Sequence, residues 1–144
     1  MPTVAAVATL EPEMAAKLKN LPAIIGISVT SIGQFLPACR MAELIKAAKP
    51  ATKIIFGGSC ADLFVNSLYR EKKDIYRYFD YIVVGEGETA LLQLYAYLQG
   101  DSDVNLYDIP NLAFIDQENR LTFTESLLED VEDLPLPSYE GIDF

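Results

Sequence analysis

The sequence predicts an α/β domain: a doubly wound parallel sheet covered by helices on both faces and extended by a C-terminal β-hairpin. Three observations predict it. Short runs rich in β-branched residues recur at Ile24 to Thr30, Lys53 to Phe56 and Tyr81 to Val84, with no charge in their interiors, as strands covered on both faces require. The segments between them carry apolar residues at helical spacing. Each run also ends in glycines or hydroxyl-bearing residues, which turn a strand into a loop.

The elements follow in order. Val4 to Leu10 is a short apolar run expected as a first strand, although its alanines favour helix. Glu11-Pro12-Glu13 reads as a helix start, with proline in the first turn and acids against the positive end of the dipole. Met14, Leu18 and Leu21 form its buried stripe, and Pro22 closes it. Ile24 to Thr30 is the next strand, followed by the polar loop Thr30 to Gln34. A helix opens near Pro37 with Ala38, Met41, Ala42 and Ile45 facing inward, and Pro50 stops it. Lys53 to Phe56 runs into Gly57-Gly58-Ser59-Cys60, and Ala61 to Tyr69 is expected to be helical.

Arg70 to Asp74 reads as a charged, solvated turn. The unit that organises the rest is Phe79 to Thr89, F-D-Y-I-V-V-G-E-G-E-T, which joins a strand, a glycine turn and a helix start. Leu91, Leu94, Tyr95 and Leu98 give that helix its apolar stripe. Asn111 to Ile115 and Leu121 to Thr124 pair as a hairpin around Asp116-Gln117-Glu118-Asn119. Leu134-Pro135-Leu136-Pro137 has neither period and reads as extended. The α/β domain is thus expected over residues 1–126, with 127–144 as a linker. Strands and helices alternating in this way make a right-handed sheet of the Rossmann or flavodoxin-like kind. Ligands of such sheets sit beyond the carboxyl ends of the strands, so the loops after Thr30, Phe56 and Val84 form one candidate rim.

Composition limits the partners. The chain has 144 residues, room for one domain with a real core, and its formal charge of −10 excludes the cationic surplus that nucleic acid or an anionic membrane demands. No apolar run approaches the roughly 20 residues of a membrane span, and the amino terminus lacks a signal pattern, so a cytoplasmic location is expected. There is no histidine, which excludes Ser-His-Asp and Cys-His catalysis and any imidazole metal ligand from this chain. Cys39 and Cys60 make no disulfide framework and read as small buried residues near helix starts.

The glycine turn must be tested against better-known loops. Gly85-Glu86-Gly87-Glu88-Thr89-Ala90 has the G-x-G-x-x-A spacing of a dinucleotide site, but Glu86 and Glu88 would face the pyrophosphate, and no acid ends a following strand. The two glutamates instead suit the positive end of a helix. No nucleoside-triphosphate loop is present. The strands end in Thr30, Phe56 and Val84 rather than the carboxylates of a phosphoacceptor domain. A flavin mononucleotide site stays open, because Ser28 to Gly33 could ring a phosphate.

The order S-V-T-S-I-G, I-I-F-G-G-S, F-D-Y-I-V-V-G-E-G-E-T and L-P-L-P-S-Y-E-G resembles the cobalamin-binding domain that precedes the core of cobalamin-dependent radical S-adenosylmethionine enzymes. The resemblance runs from Ile24 to Phe144. It implies a corrin ring held face-on at the carboxyl edge, with its nucleotide tail between sheet and helix. On one side of the seat would lie Ser28, Thr30, Ser31, Gly33 and Gln34. Gly57, Gly58 and Ser59 would form a second side, and Gly85, Glu86, Gly87, Glu88 and Thr89 the third.

A corrinoid's rim of neutral amides wants mixed donors, acceptors and close backbone approach, which hydroxyls, glycines and an amide supply. The chain departs from the methionine-synthase pattern, since it cannot offer a histidine to cobalt. The three-cysteine cluster of the radical core is also absent. The resemblance therefore implies a module that does no chemistry alone, and it also implies that the full domain's first βα unit is missing. S-adenosylmethionine and a 4Fe-4S cluster would belong to the radical core of the same polypeptide, a methyltransferase being one expected activity. A cofactor-free scaffold and a flavin-binding module are the competing expectations.

Overall fold

A computed structural model describes residues 21–63 and 73–130, with positions 132, 134–136, 140 and 141. The expected strand Val4 to Leu10 and the helix from Glu11 lie outside the described residues. Leu21, the last residue of that helix's expected stripe, is half-buried against the core.

Five strands form one sheet in the order β1 (Ile24–Ser28), β2 (Lys53–Gly57), β3 (Tyr81–Val83), β4 (Leu112–Ile115) and β5 (Leu121–Phe123). The first three run parallel, in the register Ile25 to Ile54 and Phe56 to Ile82. The hairpin then continues the same sheet, β4 lying antiparallel on β3 and β5 on β4. Its turn is fixed by Asp116, whose carboxylate accepts the N–H groups of Glu118 and Arg120 at 2.9 and 2.8 Å and the Arg120 Nε–H at 2.9 Å.

Strand alternation sorts the core into two layers. Ile54, Phe56, Ile82 and Ala113 point to one face and pack under α1 (Phe35–Ala48) through Phe35, Ala38, Cys39, Ala42 and Ile45. Ile55, Val83, Leu112 and Phe114 point to the other, where Ala90 and Leu94 of α2 (Glu88–Leu98) close over them. Helices thus cover both faces, as strands with no charge in their interiors require. Phe56 is the hinge of the first layer, stacked on Phe79 at 4.7 Å and meeting Phe35 edge-on at 6.0 Å. Burying each such ring contributes about 1.5–3 kcal/mol.

Two helix stripes differ from expectation. Met41 is 53% exposed while Cys39 is buried, because α1 begins at Phe35 and the contact of Phe35 with Phe56 turns the stripe toward positions 35, 38, 39, 42 and 45. Pro37 falls inside the first turn, where a missing N–H costs nothing. In α2, Leu91 and Tyr95 are exposed and Ala90 is buried instead, the small side chain allowing the helix to sit close on Val83 and Leu112.

From Ala61 the chain turns helical, and the rest of the expected helix to Tyr69 lies outside the described residues. Of the expected charged turn, Lys73 and Asp74 instead begin a 3-10 helix, Lys73–Arg77, which carries buried Ile75 into the core. At the amino ends of the strands, Asp80 binds β2 to β3 and to α1. It accepts the Ile54 N–H at 2.8 Å and Lys46 Nζ at 2.6 Å. Charge-assisted bonds of this kind contribute about 1.5–3 kcal/mol each.

Candidate functional site

The three loops at the carboxyl ends of β1, β2 and β3 meet at one edge. The first two are stitched together by main chain: the Val29 N–H donates to Gly57 O at 2.8 Å and the Cys60 N–H to Val29 O at 3.1 Å. Gly58 makes this possible. Its φ is +96°, and a Cβ there would lie 2.6 Å from Val29 O and 2.7 Å from Val29 N, a contact no side chain survives.

Between the sheet and the start of α2 these loops leave a groove of about 410 Å³, within the usual range for a small-molecule site. Its floor combines two rows of the sheet. Gly26 pairs with Ile55, and Ser28 with Gly57. Val83, Gly85, Gly87 and Leu91 supply the α2 side, and Gly58 the outer lip. No lining residue carries a charge, and Ser28 is the one polar side chain among them.

Of the residues expected at the site, Ser28, Gly57, Gly58, Gly85 and Gly87 come together in this groove. The others lie around it. Thr30, Ser31, Gly33 and Gln34 form an exposed rim whose polar groups bond one another: the Gln34 side-chain oxygen accepts Thr30 N–H at 3.0 Å, Thr30 Oγ1–H at 3.2 Å and Ser31 N–H at 3.2 Å. Ser59, also exposed, donates its hydroxyl to Thr30 O at 3.3 Å.

Glu86, Glu88 and Thr89 do not line the groove. Glu88 accepts the Gly87 N–H at 3.0 Å, as a carboxylate at a helix start should. Glu86 and Thr89 are engaged by the chain that follows β5. The Glu129 carboxylate accepts the Thr89 N–H and hydroxyl, and the Glu129 N–H donates to the Glu86 carboxylate. Asn111, at φ 56°, bridges the same elements, donating to Glu86 O and to Leu127 O at 2.8 Å each and accepting the Leu127 N–H at 2.8 Å. The first residues of the expected linker are thus docked on the glycine turn.

Sequence reasoning passed over Gly26, Ile55, Val83 and Leu91 as lining residues. Gly26 carried a signal, since a glycine inside the strand I-I-G-I-S weakens it and marks a close approach. Glu129 carried none, being one acid among many.

A larger cavity of about 570 Å³ lies at the opposite end of the sheet, beside Lys53, Asp80, Tyr81 and Tyr107, away from all three loops. Its three charged residues are already engaged, Lys53 and Asp80 in joining strands and Asp116 in the hairpin turn. Among the described residues no three His, Cys, Asp or Glu side chains gather to hold a metal, and no helix is long and apolar enough to cross a membrane. Cys39 is buried, and burial together with nearby Glu43 pushes its thiol up from 9.0 to about 11. It is a packing residue.

The family model of the B12 binding domain matches residues 4–95, well over half of the chain. The chain belongs to the B12-binding domain family. Its cofactor class is therefore cobalamin, the one the sequence resemblance implied. Among curated proteins none matches.

Solved structures agree in fold. This B12-binding domain is similar to the cobalamin-dependent S-adenosylmethionine radical enzyme OxsB with aqua-cobalamin and S-adenosylmethionine bound. The TM-score is 0.65 and the identity 18%, over 88% of this chain and 17% of that chain. The apo, selenomethionine-labelled form gives 0.62 and 19%, over 84% and 16%. The chain thus spans 17% of the length of that enzyme.

The residues present fit a large, neutral, amide-rimmed guest. A Cβ built on Gly26 meets nothing within 4 Å, so the space above β1 is open to a ligand, and the groove sets no charge against it.

Proposed function

We propose that this chain is the cobalamin-binding module of a larger radical S-adenosylmethionine enzyme, in which it seats the corrin at the carboxyl edge of the sheet. The groove over Gly26, Ser28, Gly57 and Gly87 carries the reading, because it lies between sheet and helix where a nucleotide tail would enter. Thr30, Ser31, Gln34 and Ser59 stand at the rim, within a hydrogen-bonding loop suited to the corrin's side-chain amides. This chain, which has no histidine, would offer cobalt no imidazole.

When bound, cobalamin would supply a reactive group held on cobalt, a methyl group if the enzyme is a methyltransferase, while the protein would bind and orient it. The glycine floor keeps the main chain close to the guest. The apolar walls exclude water from the tail. S-adenosylmethionine and a 4Fe-4S cluster belong, on this reading, to the radical core of the same polypeptide.

The test is to mix the purified chain with hydroxocobalamin, desalt it and record the visible spectrum. Retained corrin absorbance of base-off shape is expected. Loss of all corrin on desalting would overturn the proposal in favour of a cofactor-free scaffold, and a flavin spectrum in the protein as purified would favour a flavin carrier.

A further inference from the structure

Resting on that reading, we infer that the groove selects corrinoids by the aromatic base that ends the nucleotide tail, and that Gly26 sets the depth available to it. Gly26 sits at the middle of β1 in line with Ile55, on the α2 side of the sheet. A Cβ there would enter open space rather than protein. In the next row Ser28 and Gly57 are again small, so main chain is bared at Gly26 in one row and at Gly57 in the next, with the Ile55 side chain beside Gly26. Ile55, Val83 and Leu91 stand around this floor. A flat ring fits such a slot, and a glycine inside a strand is the usual mark of a group lying on the backbone.

The lining is selective in polarity as well as in shape. Its single polar side chain is Ser28, whose hydroxyl makes no hydrogen bond to a described residue. A benzimidazole base has few polar atoms and loses little by entering. Adenine in the same place brings an exocyclic amine and several ring nitrogens. One hydroxyl cannot satisfy them, and each polar group buried without a partner carries a desolvation penalty. A corrinoid with no base leaves the slot unfilled and gives up its apolar contact.

The experiment titrates the purified chain spectroscopically with three probes: cobalamin, its adenine-based analogue and base-free cobinamide. Two variants, Gly26→Ala and Gly26→Val, are run beside the parent, with far-UV circular dichroism as a folding check. Both should fold, because the added atoms meet open space and valine suits a strand. Cobalamin should bind most tightly, with the adenine form on the order of 10- to 100-fold weaker. Gly26→Val should weaken cobalamin by at least about 10-fold, Gly26→Ala less, and cobinamide should be indifferent to either.

Equal binding of the three probes, or equal loss of all three in Gly26→Val, overturns base selection and leaves the cobalamin module intact. Failure of every probe to bind the parent chain overturns the module itself.

Discussion

Thr89 offers both its backbone N–H and its hydroxyl to one carboxylate, that of Glu129, at 2.8 and 3.0 Å. Thr89 lies in the first turn of α2, where N–H groups have no helical partner, so Glu129 caps that helix from a distant part of the chain. Glu129 also donates its own N–H to Glu86, and the stretch after β5 is thereby tied to the turn that borders the groove. Glu129→Ala should lower stability by about 0.5–2 kcal/mol, the usual cost of a lost cap. Thr89→Val should cost a similar amount, and the double variant no more than the larger single. Urea melts of the three proteins decide it: strictly additive losses would mean the two residues do not act as a pair. Hydrogen exchange should rise at the Leu127 and Glu129 amides in Glu129→Ala.

The glycines of the site separate by what stands beside them. Gly58→Ala forces a Cβ onto the Val29 backbone at a φ of +96° and should cost about 1–3 kcal/mol or more. Gly85→Ala meets open space at φ +85° and should cost about 1–2 kcal/mol from backbone strain alone. Gly26→Ala has ordinary φ and free space, and should stabilise the apo chain by about 0.5–1 kcal/mol. Thermal melts that reverse this order would show that the turns are held differently.

Alkali should destabilise the fold in a defined window. Burial raises the Cys39 thiol from 9.0 to about 11, with Glu43 adding to it, and raises the Tyr81 phenol from 10.0 to about 12, helped by Tyr97 and Asp80. Burial raises Tyr76 as well. The folded state keeps these protons after the unfolded chain has released them. Their contribution is therefore whole below about pH 9 and is lost progressively as pH climbs through the folded values. The melting temperature should be flat to about pH 8.5 and then fall, and Cys39→Ala should delay the onset of the fall. An unchanged alkaline limb in that variant would remove Cys39 as a cause.

Asp116 acts at the other end of the scale. The Arg120 backbone N–H, and then the Arg120 side chain, hold its carboxyl below the ordinary value of 3.8 despite its burial. The stability it adds is present above about pH 4 and is lost as pH falls through the folded value. Asp116→Asn should lower the melting temperature at neutral pH, and the difference from the parent should shrink as both are acidified. Parallel acid limbs would show that Asp116 is not ionised in the hairpin.

The strands, the hairpin and the shared edge were legible because each has a local cause. Runs with no charge in their interior, such as Ile54 to Phe56 after Lys53, can only be buried, and Asp116 to Asn119 can only turn. The exact helix faces were not, because they depend on a long-range contact, that of Phe35 with Phe56. Within the site, five glycine and serine positions were readable from their loops, while Ile55, Val83 and Leu91 looked like any other core residue. The partners of the glycine turn were hidden for a related reason. Glu86 and Thr89 stand beside the groove in sequence, yet their partner Glu129 comes from a segment whose docking no local pattern announces.

A floor of bare main chain has nothing to fall inward. Side-chain-lined clefts can fold their own rotamers into the vacancy when empty and must be prised open again, whereas Gly26, Gly57 and Gly87 have no torsions with which to do so. The entropy surrendered on loading is then mostly the guest's own, and the vacant and loaded sheets should superimpose strand for strand.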